Sequence, residues 1–197
     1  MGQIIISVGR EFGSGGRVIA EALAKRFDIP IYDRHLITEI SEKTGLAPEE
    51  IEKYNENPKH RLFSRSVRGY SNSIEDNIAE MQFDFIEEKA KSGESFVVVG
   101  RCSETKLRKY QSLVSLFILG DMDEKIKRVM SVYELSEEKA KAFIDKKDRK
   151  RKRYHNYHCS GHWGDSRLYD LSINSSRLGI DGTVDMLEKY IRARMGE

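Results

Sequence analysis

The sequence predicts an α/β fold in which a parallel sheet is covered by helices on both faces. Short apolar runs of strand length recur along the 197-residue chain, and stretches with helical periodicity separate most of them. The first run also leads through a glycine-rich turn into a helix. Strands that are buried on both faces form continuous apolar runs rather than alternating ones, which is typical of parallel sheets.

The individual elements follow from the same patterns. Five apolar runs are the predicted strands: Gln3–Val8, Ile29–Tyr32, Ser95–Val99, Leu113–Leu119 and Tyr169–Ile173. Seven periodic segments are the predicted helices: Gly16–Arg26, Arg34–Thr44, Pro48–Tyr54, Ile74–Ser92, Met122–Val132, Ser136–Tyr154 and Gly182–Met195. Asp121 or Asp123 can cap the fifth helix, and Ser136 precedes an acidic first turn in the sixth. The polar, weakly periodic segment from about Asn55 to Asn77 is predicted to be a mobile insertion.

Composition narrows the class of protein. Charged residues make up 34% of the chain, but the formal net charge is only +2, so no global field favours nucleic acid or an anionic membrane. Two cysteines are too few for a disulfide framework, and no stretch resembles a signal peptide or a membrane span. We expect one cytoplasmic domain that does not contact a membrane. The sequence does not indicate its oligomeric state.

The glycine-rich turn is the most informative feature for function. It follows a strand and opens a helix, an order in which backbone N–H groups converge on an anion. A standard P-loop has glycine, four residues, glycine, lysine and then serine or threonine. With Gly15 as the second glycine, the first falls on Arg10, the lysine on Gly16 and the hydroxyl on Arg17. The turn therefore predicts phosphate binding without the usual lysine and hydroxyl; the alternative is a tight connection that binds nothing.

The charge of the missing lysine has to come from another residue. Arg17 is the favoured replacement, because its guanidinium can bind a phosphate oxygen in a bidentate manner, and Arg10 is the second choice. Magnesium keeps most of its hydration and can be held by carboxylates. Glu11, Asp33 and Asp121 are the candidates.

Two other groups of basic residues are candidate ligands for phosphate. Arg101 follows a predicted strand at its carboxyl end, where open parallel sheets bind their ligands. Residues 146–153 carry the densest charge, and Arg149 and Arg153 are four residues apart, so one helix face could present both to a triphosphate. A solvated helix face and a nucleic-acid contact are the alternatives for this run.

A cluster of possible zinc ligands follows the basic run. Its spacing matches no standard zinc pattern, so we expect no metal site there, and the tip of a mobile lid is the favoured interpretation. The cluster consists of His155, His158, Cys159 and His162. Trp163 could stack on a base, pack a closed lid or belong to the core. Cys102 has no neighbours in sequence that would make it a nucleophile.

Five short motifs occur in an order and spacing that cover nearly the whole chain. They are Gly13-Ser14-Gly15-Gly16-Arg17, Ile31-Tyr32-Asp33-Arg34, Val98-Val99-Gly100-Arg101, Asp148-Arg149 to Arg153, and Tyr169-Asp170-Leu171 to Asn174-Ser175-Ser176. Together they resemble the cytidylate kinase-like group of the nucleoside monophosphate kinases. The resemblance implies a three-layer P-loop kinase fold with a five-stranded parallel sheet. It also implies a single kinase-like domain over residues 1–197, with a helical substrate-binding insert at about 45–92 and an arginine-rich lid at about 146–168.

The resemblance implies an ATP- and Mg²⁺-dependent phosphotransferase that acts on a nucleoside monophosphate or a related small phosphate acceptor. In that plan Gly13, Ser14, Gly15 and Gly16 hold the donor β-phosphate, and Arg17 replaces the lysine. Arg149 and Arg153 close over the γ-phosphate, while Ser175 and Ser176 form part of the wall around the donor base. Arg101 grips the acceptor, Arg34 assists it, and Asp33 orients the acceptor or holds magnesium through water.

One departure concerns the acceptor. Cytidylate kinases usually carry an acidic residue where this chain has Cys102, so the choice of acceptor and the preference for a pyrimidine stay open. Two other functions also stay open. The altered P-loop suits a nucleotide-binding regulator without catalysis, and the basic run suits a nucleic-acid-binding module, although nucleic acid is the less favoured partner.

Overall fold

A computed structural model of the chain describes residues 2–33 and 74–196, together with residues 38, 41, 45, 47–49, 51, 66–67 and 70–71. Arg34, most of the two helices predicted between residues 34 and 54, and most of the predicted insertion lie outside these residues. The described residues 38, 41, 48, 49 and 51 are helical, as predicted.

Seven strands lie within the described part of the chain. They are β1 (Ile5–Arg10), β2 (Ile31–Tyr32), β3 (Ser66–Val67), β4 (Tyr70–Ser71), β5 (Phe96–Val99), β6 (Leu113–Leu119) and β7 (Leu171–Asn174). Five of them form one sheet in the order β2-β5-β1-β6-β7, and every neighbouring pair in that sheet is parallel. The predicted five-stranded parallel sheet is therefore confirmed. The short strands β3 and β4 pair with each other in antiparallel fashion and were not predicted.

Six α-helices are described. They are α1 (Gly16–Phe27), α2 (Ile74–Lys91), α3 (Ser103–Lys106), α4 (Met122–Tyr133), α5 (Glu137–His158) and α6 (Gly179–Met195), and a 3₁₀ turn spans Ser166–Leu168. α2 begins inside the segment predicted to be a mobile insertion. α5 continues one turn beyond its predicted end. The four-residue helix α3 was not predicted, because a single turn is too short to show a helical period.

The sheet is buried on both faces, which explains its continuous apolar runs. Ile4, Ile6 and Val8 belong to a core that includes residues of α1 and α6. Ile5 and Val98 belong to a second core that includes residues of α2. Successive side chains of a strand point to opposite faces of the sheet. A strand that is covered on both faces is therefore mostly apolar at successive positions, as β1 is. None of the described helices has the length and apolar character required to cross a membrane.

One buried hydroxyl connects three segments at the carboxyl edge of the sheet. Ser175 follows β7 directly and is fully buried. Its Oγ donates to the carbonyl oxygen of Ser14 in the glycine turn at 2.6 Å and to that of Leu119, at the end of β6, at 3.0 Å. The glycine turn is thus fixed relative to two strand ends.

We expect Ser175→Ala to lower the free energy of unfolding by about 1–3 kcal/mol, because it leaves a buried carbonyl group without its donor. Ser131→Ala on the exposed face of α4 is the control and should change stability by less than about 0.5 kcal/mol. Urea denaturation followed by circular dichroism measures both. Equal losses would show that Ser175 does not anchor the turn.

Candidate active site

The glycine turn lies between β1 and α1 and has the backbone conformation of an anion site. Gly13 and Gly15 have φ angles of 82° and 78°, and Gly15 is the N-cap residue of α1. Ser14 is fully buried, and its Oγ donates to the carbonyl oxygen of Glu11 at 2.9 Å and accepts from the N–H of Gly16 at 3.3 Å. The Ser14 side chain therefore links Glu11, before the turn, to Gly16, at the start of α1.

Several N–H groups of this turn have no acceptor among the residues that the structure describes. In the part of the chain that the structure describes, the N–H groups of Gly13, Gly15, Arg17 and Val18 make no hydrogen bond. They belong to a positive-φ loop and to the first turn of a twelve-residue helix, whose dipole favours an anion at this end. This arrangement fits a phosphate group of a nucleotide donor.

Glycine is also required here by the neighbouring elements. A Cβ atom at Gly15 would collide with Cδ1 of Ile180 at the start of α6, and one at Gly16 would lie 2.6 Å from Cβ of Arg10. The two glycines therefore allow α6 and β1 to approach the turn, in addition to supplying its backbone conformation.

Two cations of α4 lie against the turn, and the sequence analysis did not single them out. Lys125 is buried, and its Nζ lies 3.0 Å from Oε2 of Glu11 and 3.6 Å from Oδ2 of Asp148. Arg128 donates from Nη1 to the carbonyl oxygen of Gly13. The turn thus has positive charge beside it although it lacks the P-loop lysine. The only sequence signal was that these two residues are three apart on a helix that follows a buried strand.

The structure brings two of the predicted site residues together. Nε of Arg17 lies 2.9 Å from Oε1 of Glu21 and 3.2 Å from Oδ2 of Asp33, and about half of the Arg17 side chain is exposed. The Arg17 guanidinium is therefore held by one carboxylate of α1 and one carboxylate that follows β2.

The three candidate carboxylates for magnesium all have cationic partners. Asp33 contacts Arg17, and Glu11 contacts Lys125. Asp121 contacts Arg177 and also accepts from Nδ2 of Asn174 at 2.7 Å. Carboxylates suit magnesium, but here each would have to exchange a partner to bind it directly.

The two predicted serines have different surroundings. Ser175 lies beneath the turn, as described above. Ser176 is half-buried, and its Oγ accepts from the N–H of Asp121 at 2.9 Å, at the start of α4. Asp121 and Ser136 occupy the predicted N-cap positions of α4 and α5, but neither side chain makes the capping hydrogen bond.

A small, partly open cleft with a volume of about 30 Å³ lies at the end of β1 on the β5 side. Six of its lining residues can bind or stack on a ligand: Arg10, Arg101, Arg151, Glu104, Trp163 and Tyr169. The ring of Trp163 packs edge-on against Phe117 of β6, with centroids 5.4 Å apart. Three guanidinium groups around one small cleft favour an anionic ligand.

Arg101 lies in a turn of unusual backbone conformation. Gly100, Arg101 and Cys102 have φ angles of 73°, 62° and 53°, three consecutive residues in the left-handed region. The two non-glycine residues each cost on the order of 1–3 kcal/mol, and such residues cluster at functional sites. Arg101 is only 4% exposed. A Cβ at Gly100 would collide with the guanidinium of Arg10, so Arg10 reaches from β1 across to this turn.

Helix α5 is docked onto the glycine turn through Asp148 and Arg151. Oδ1 of Asp148 accepts from the N–H of Phe12 at 2.7 Å, and burial raises the pKa of this carboxyl. Nη1 of Arg151 donates to the carbonyl oxygen of Arg10 at 3.3 Å, and its guanidinium lies over the ring of Phe12. Arg151 is therefore the arginine of α5 that the structure places at the turn.

The two predicted lid arginines lie elsewhere on α5. Arg149 and Arg153 share one face of the helix, as predicted, but both are exposed. They line an open surface together with Lys152, Asn156 and Tyr157. The structure does not bring them to the glycine turn.

Two members of the His/Cys cluster that the sequence showed, His155 and Cys159, lie together in the structure. Nε2 of His155 lies 2.8 Å from Oε1 of Glu104, and both residues are buried. Cys159 joins them, with ligand atoms of all three residues within 4.8 Å of one another. Glu104 was missed because it is 51 residues away from His155 in the sequence.

This combination of a parallel sheet, a glycine turn after its central strand and basic residues around that turn defines a P-loop kinase fold. The chain belongs to the cytidylate kinase-like family, whose profile matches residues 5–177. This membership confirms the resemblance that the sequence motifs indicated. No curated protein gives a significant match.

Solved structures show the same fold. The chain is similar to an uncharacterized protein from Eubacterium ventriosum ATCC 27560, with 39% identity and a TM-score of 0.77 over 96% of this chain and 99% of that chain. It is also similar to shikimate kinase from Bacteroides thetaiotaomicron, with 14% identity and a TM-score of 0.55 over 96% of this chain and 98% of that chain. A gluconokinase from Sinorhizobium meliloti 1021 matches with 15% identity and a TM-score of 0.55 over 96% of this chain and 94% of that chain. At these low identities the two kinases show a shared fold and nothing about the acceptor.

We expect sulfate or phosphate to occupy the turn Gly13–Arg17 in crystals grown with either anion, because unpaired N–H groups and the α1 dipole both face it. Difference density in an anion-soaked crystal is the measurement. A well-ordered turn that stays empty, with its amides facing away, would remove the basis for nucleotide binding.

We expect Lys125→Met to lower the free energy of unfolding by about 3 kcal/mol, because it leaves the partly buried Glu11 without its cation and Asp148 with Arg151, at 3.9 Å, as its cationic partner. Lys127→Met is the matched control on the same helix, because its pair with Glu124 is solvent-exposed and screened by water. Urea denaturation compares the two variants. A Lys125 variant as stable as the control would show that this ion pair does not hold the turn.

Proposed function

We propose that this protein is an ATP-dependent phosphotransferase whose acceptor is a small phosphorylated molecule, with a nucleoside monophosphate as the leading class. The observation that carries the proposal is the cleft with Arg10, Arg101 and Arg151 at the end of β1, from which the chain continues into a turn in which several N–H groups have no acceptor among the described residues. The turn suits the donor phosphates, and the arginine cleft suits a second anion. Membership of a kinase-like family supports this division of the site.

The donor would bind with its β-phosphate on the N–H groups of Gly13, Gly15 and Arg17. Phosphoryl transfer needs positioned cations and exclusion of water more than covalent help from the protein. Arg17 is proposed to replace the P-loop lysine, with Asp33 holding its guanidinium in place. Magnesium, when it accompanies ATP, neutralises charge between the β- and γ-phosphates.

The acceptor would bind in the cleft with its anionic group on the three arginines. Arg101 is the central residue, because it is almost fully buried and its strained turn fixes its direction. Trp163 and Tyr169 line the same cleft and would lie next to the rest of the acceptor. Arg149 and Arg153 keep their proposed role over the γ-phosphate, which requires α5 to turn its exposed face towards the donor.

The function is tested by incubating the protein with ATP, Mg²⁺ and a panel of nucleoside and sugar monophosphates and measuring ADP. Acceptor-dependent ADP release is the expected result. Tight ATP binding without turnover would instead support a nucleotide-binding regulator, and oligonucleotide binding without ATP binding would support the nucleic-acid alternative. Either result contradicts the phosphotransferase.

We expect Arg101→Ala and Arg151→Ala to lower kcat/KM for the acceptor by roughly a hundredfold, because each removes a charge from the acceptor cleft. ATP affinity should stay within about twofold for Arg101→Ala, since Arg101 lies in the turn after β5, whereas Arg151 also contacts Arg10 and Phe12. Lys152→Ala is the control, since Lys152 is exposed on the same helix. Steady-state kinetics with both substrates varied provides the measurement.

The same kinetic series separates the arginines of α5. Arg149→Ala and Arg153→Ala should lower kcat with little change in ATP affinity if the helix rotates during turnover. Should they match the Lys152 control while Arg151→Ala is impaired, the orientation of α5 in this structure is the catalytic one and the role of Arg149 and Arg153 over the γ-phosphate is wrong.

A further inference from the structure

The only two cysteines of the chain meet in the fold although they are far apart in sequence. Cys102 lies in the left-handed turn after β5, and Cys159 is the residue that follows α5. Both belong to one apolar cluster with Tyr154, and their thiols are in side-chain contact. Cys102 is buried, whereas Cys159 is half-buried, so the second thiol is the more accessible one.

A buried ion pair lies beside these thiols. His155 is one helical turn before Cys159 on α5, and its Nε2 lies 2.8 Å from Oε1 of Glu104. Burial alone would lower the pKa of His155, but the adjacent Cys159 and Glu104 raise it to about 10. The ring therefore carries a proton and a positive charge at neutral pH.

The two thiols are made chemically different by these surroundings. Contact with the Cys102 thiol lowers the pKa of Cys159 to about 6, and the His155 ring contributes in the same direction against the effect of burial. Contact with Cys159 and burial raise the pKa of Cys102. A partly accessible thiolate next to a second thiol is the arrangement found at oxidation-sensitive sites.

We propose that Cys102 and Cys159 form a redox modification site. A hydroperoxide oxidises Cys159, and Cys102 then closes a disulfide that joins the end of α5 to the turn at residues 100–102. The geometry that carries this proposal is the contact of the two thiols beside the His155–Glu104 pair. This single bridge would join only these two segments and would not amount to a disulfide framework.

The chemistry balances with the hydroperoxide as oxidant. The Cys159 thiolate attacks the peroxide oxygen, the O–O bond breaks, and hydroxide leaves and takes a proton from solvent, which gives a sulfenic acid on Cys159. The Cys102 sulfur then attacks the Cys159 sulfur, the S–S bond forms and the S–O bond breaks. The leaving hydroxide combines with the Cys102 proton, so two thiols and hydrogen peroxide give one disulfide and two waters.

The bridge would connect two parts of the acceptor cleft. Cys102 follows Arg101 directly, and α5 carries Arg151 and His155 on the opposite wall. A covalent link between these walls restrains any movement of α5 away from Arg101. The expected loss of acceptor turnover rests on the proposed function, but formation of the disulfide does not.

The test begins with the reduced 197-residue chain, which is treated with hydrogen peroxide and analysed by intact mass and peptide mapping. The expected product has lost two hydrogens, contains a Cys102–Cys159 cross-linked peptide and returns to the starting mass with dithiothreitol. Cys159 should react roughly tenfold faster at pH 7 than the same thiol in urea-unfolded protein, because more of it is thiolate. A product in which both thiols persist, or in which only higher oxides form, would overturn the proposal.

Two variants identify the roles of the thiols. Cys102→Ser should accumulate a sulfenic acid at Cys159 that dimedone traps, whereas Cys159→Ser should leave the buried Cys102 thiol unmodified. Equal reactivity of the two variants would contradict the assigned order. Zinc bound stoichiometrically to the untreated protein, with both thiols protected from peroxide, would show a metal site instead and overturn the redox assignment.

Turnover of the oxidised and reduced protein is measured in parallel. A mapped disulfide in a protein without phosphotransferase activity would support the redox site and refute the proposed function. Phosphotransferase activity without a disulfide after peroxide would do the reverse.

Discussion

All five strands of the central sheet run in one direction, and the arrangement of the site follows from this. Their carboxyl ends meet at one edge, where β1 lies between β5 and β6. The glycine turn after β1 is therefore flanked on one side by the Arg101 turn and on the other by the start of α4. The β6 side supplies Lys125 and Arg128 beside the turn, and the β5 side supplies the cleft with Arg101. The proposed donor and acceptor positions therefore lie at the ends of neighbouring strands.

A second constraint is the attachment of α5 across this edge. Asp148 accepts a hydrogen bond from the turn and lies 3.6 Å from the buried Lys125 of α4, so one carboxylate links three segments. Asp148 and the apolar residues Ile144 and Tyr154 face inwards and set the rotation of the helix in this structure. That rotation brings Arg151 to the turn and leaves Arg149, Lys152 and Arg153 exposed. The most highly charged segment of the chain is thus ordered by one of its few acidic residues.

The sequence predicted the features that depend on local pattern. Continuous apolar runs identified all five sheet strands, most clearly β1, β5 and β6, which are buried on both faces. The glycine turn was recognised from its position between a strand and a helix. Which side of α5 is buried could not be predicted, because residues 146–153 place basic side chains all around the helix and no apolar periodicity marks the buried side. Lys125 and the meeting of Cys102 with His155 and Cys159 depend on contacts between distant segments, which spacing along the chain does not encode. Arg17 was identified by its place in the motif, but its carboxylate partners come from the outer side of α1 and from the end of β2.

At the left-handed turn of residues 100–102, relief of backbone strain and retention of the buried side chains favour different residues. Glycine would adopt the backbone angles of Arg101 and Cys102 without a steric penalty, so a selection for thermal stability alone would accept glycine at both positions. Such a chain would fold well and would have lost the buried guanidinium and the buried thiol together. At these two residues, a gain in the free energy of unfolding and the preservation of the buried guanidinium and thiol are therefore opposing aims. Variants that gain stability there identify positions at which the fold is less than optimally stable for the sake of the site.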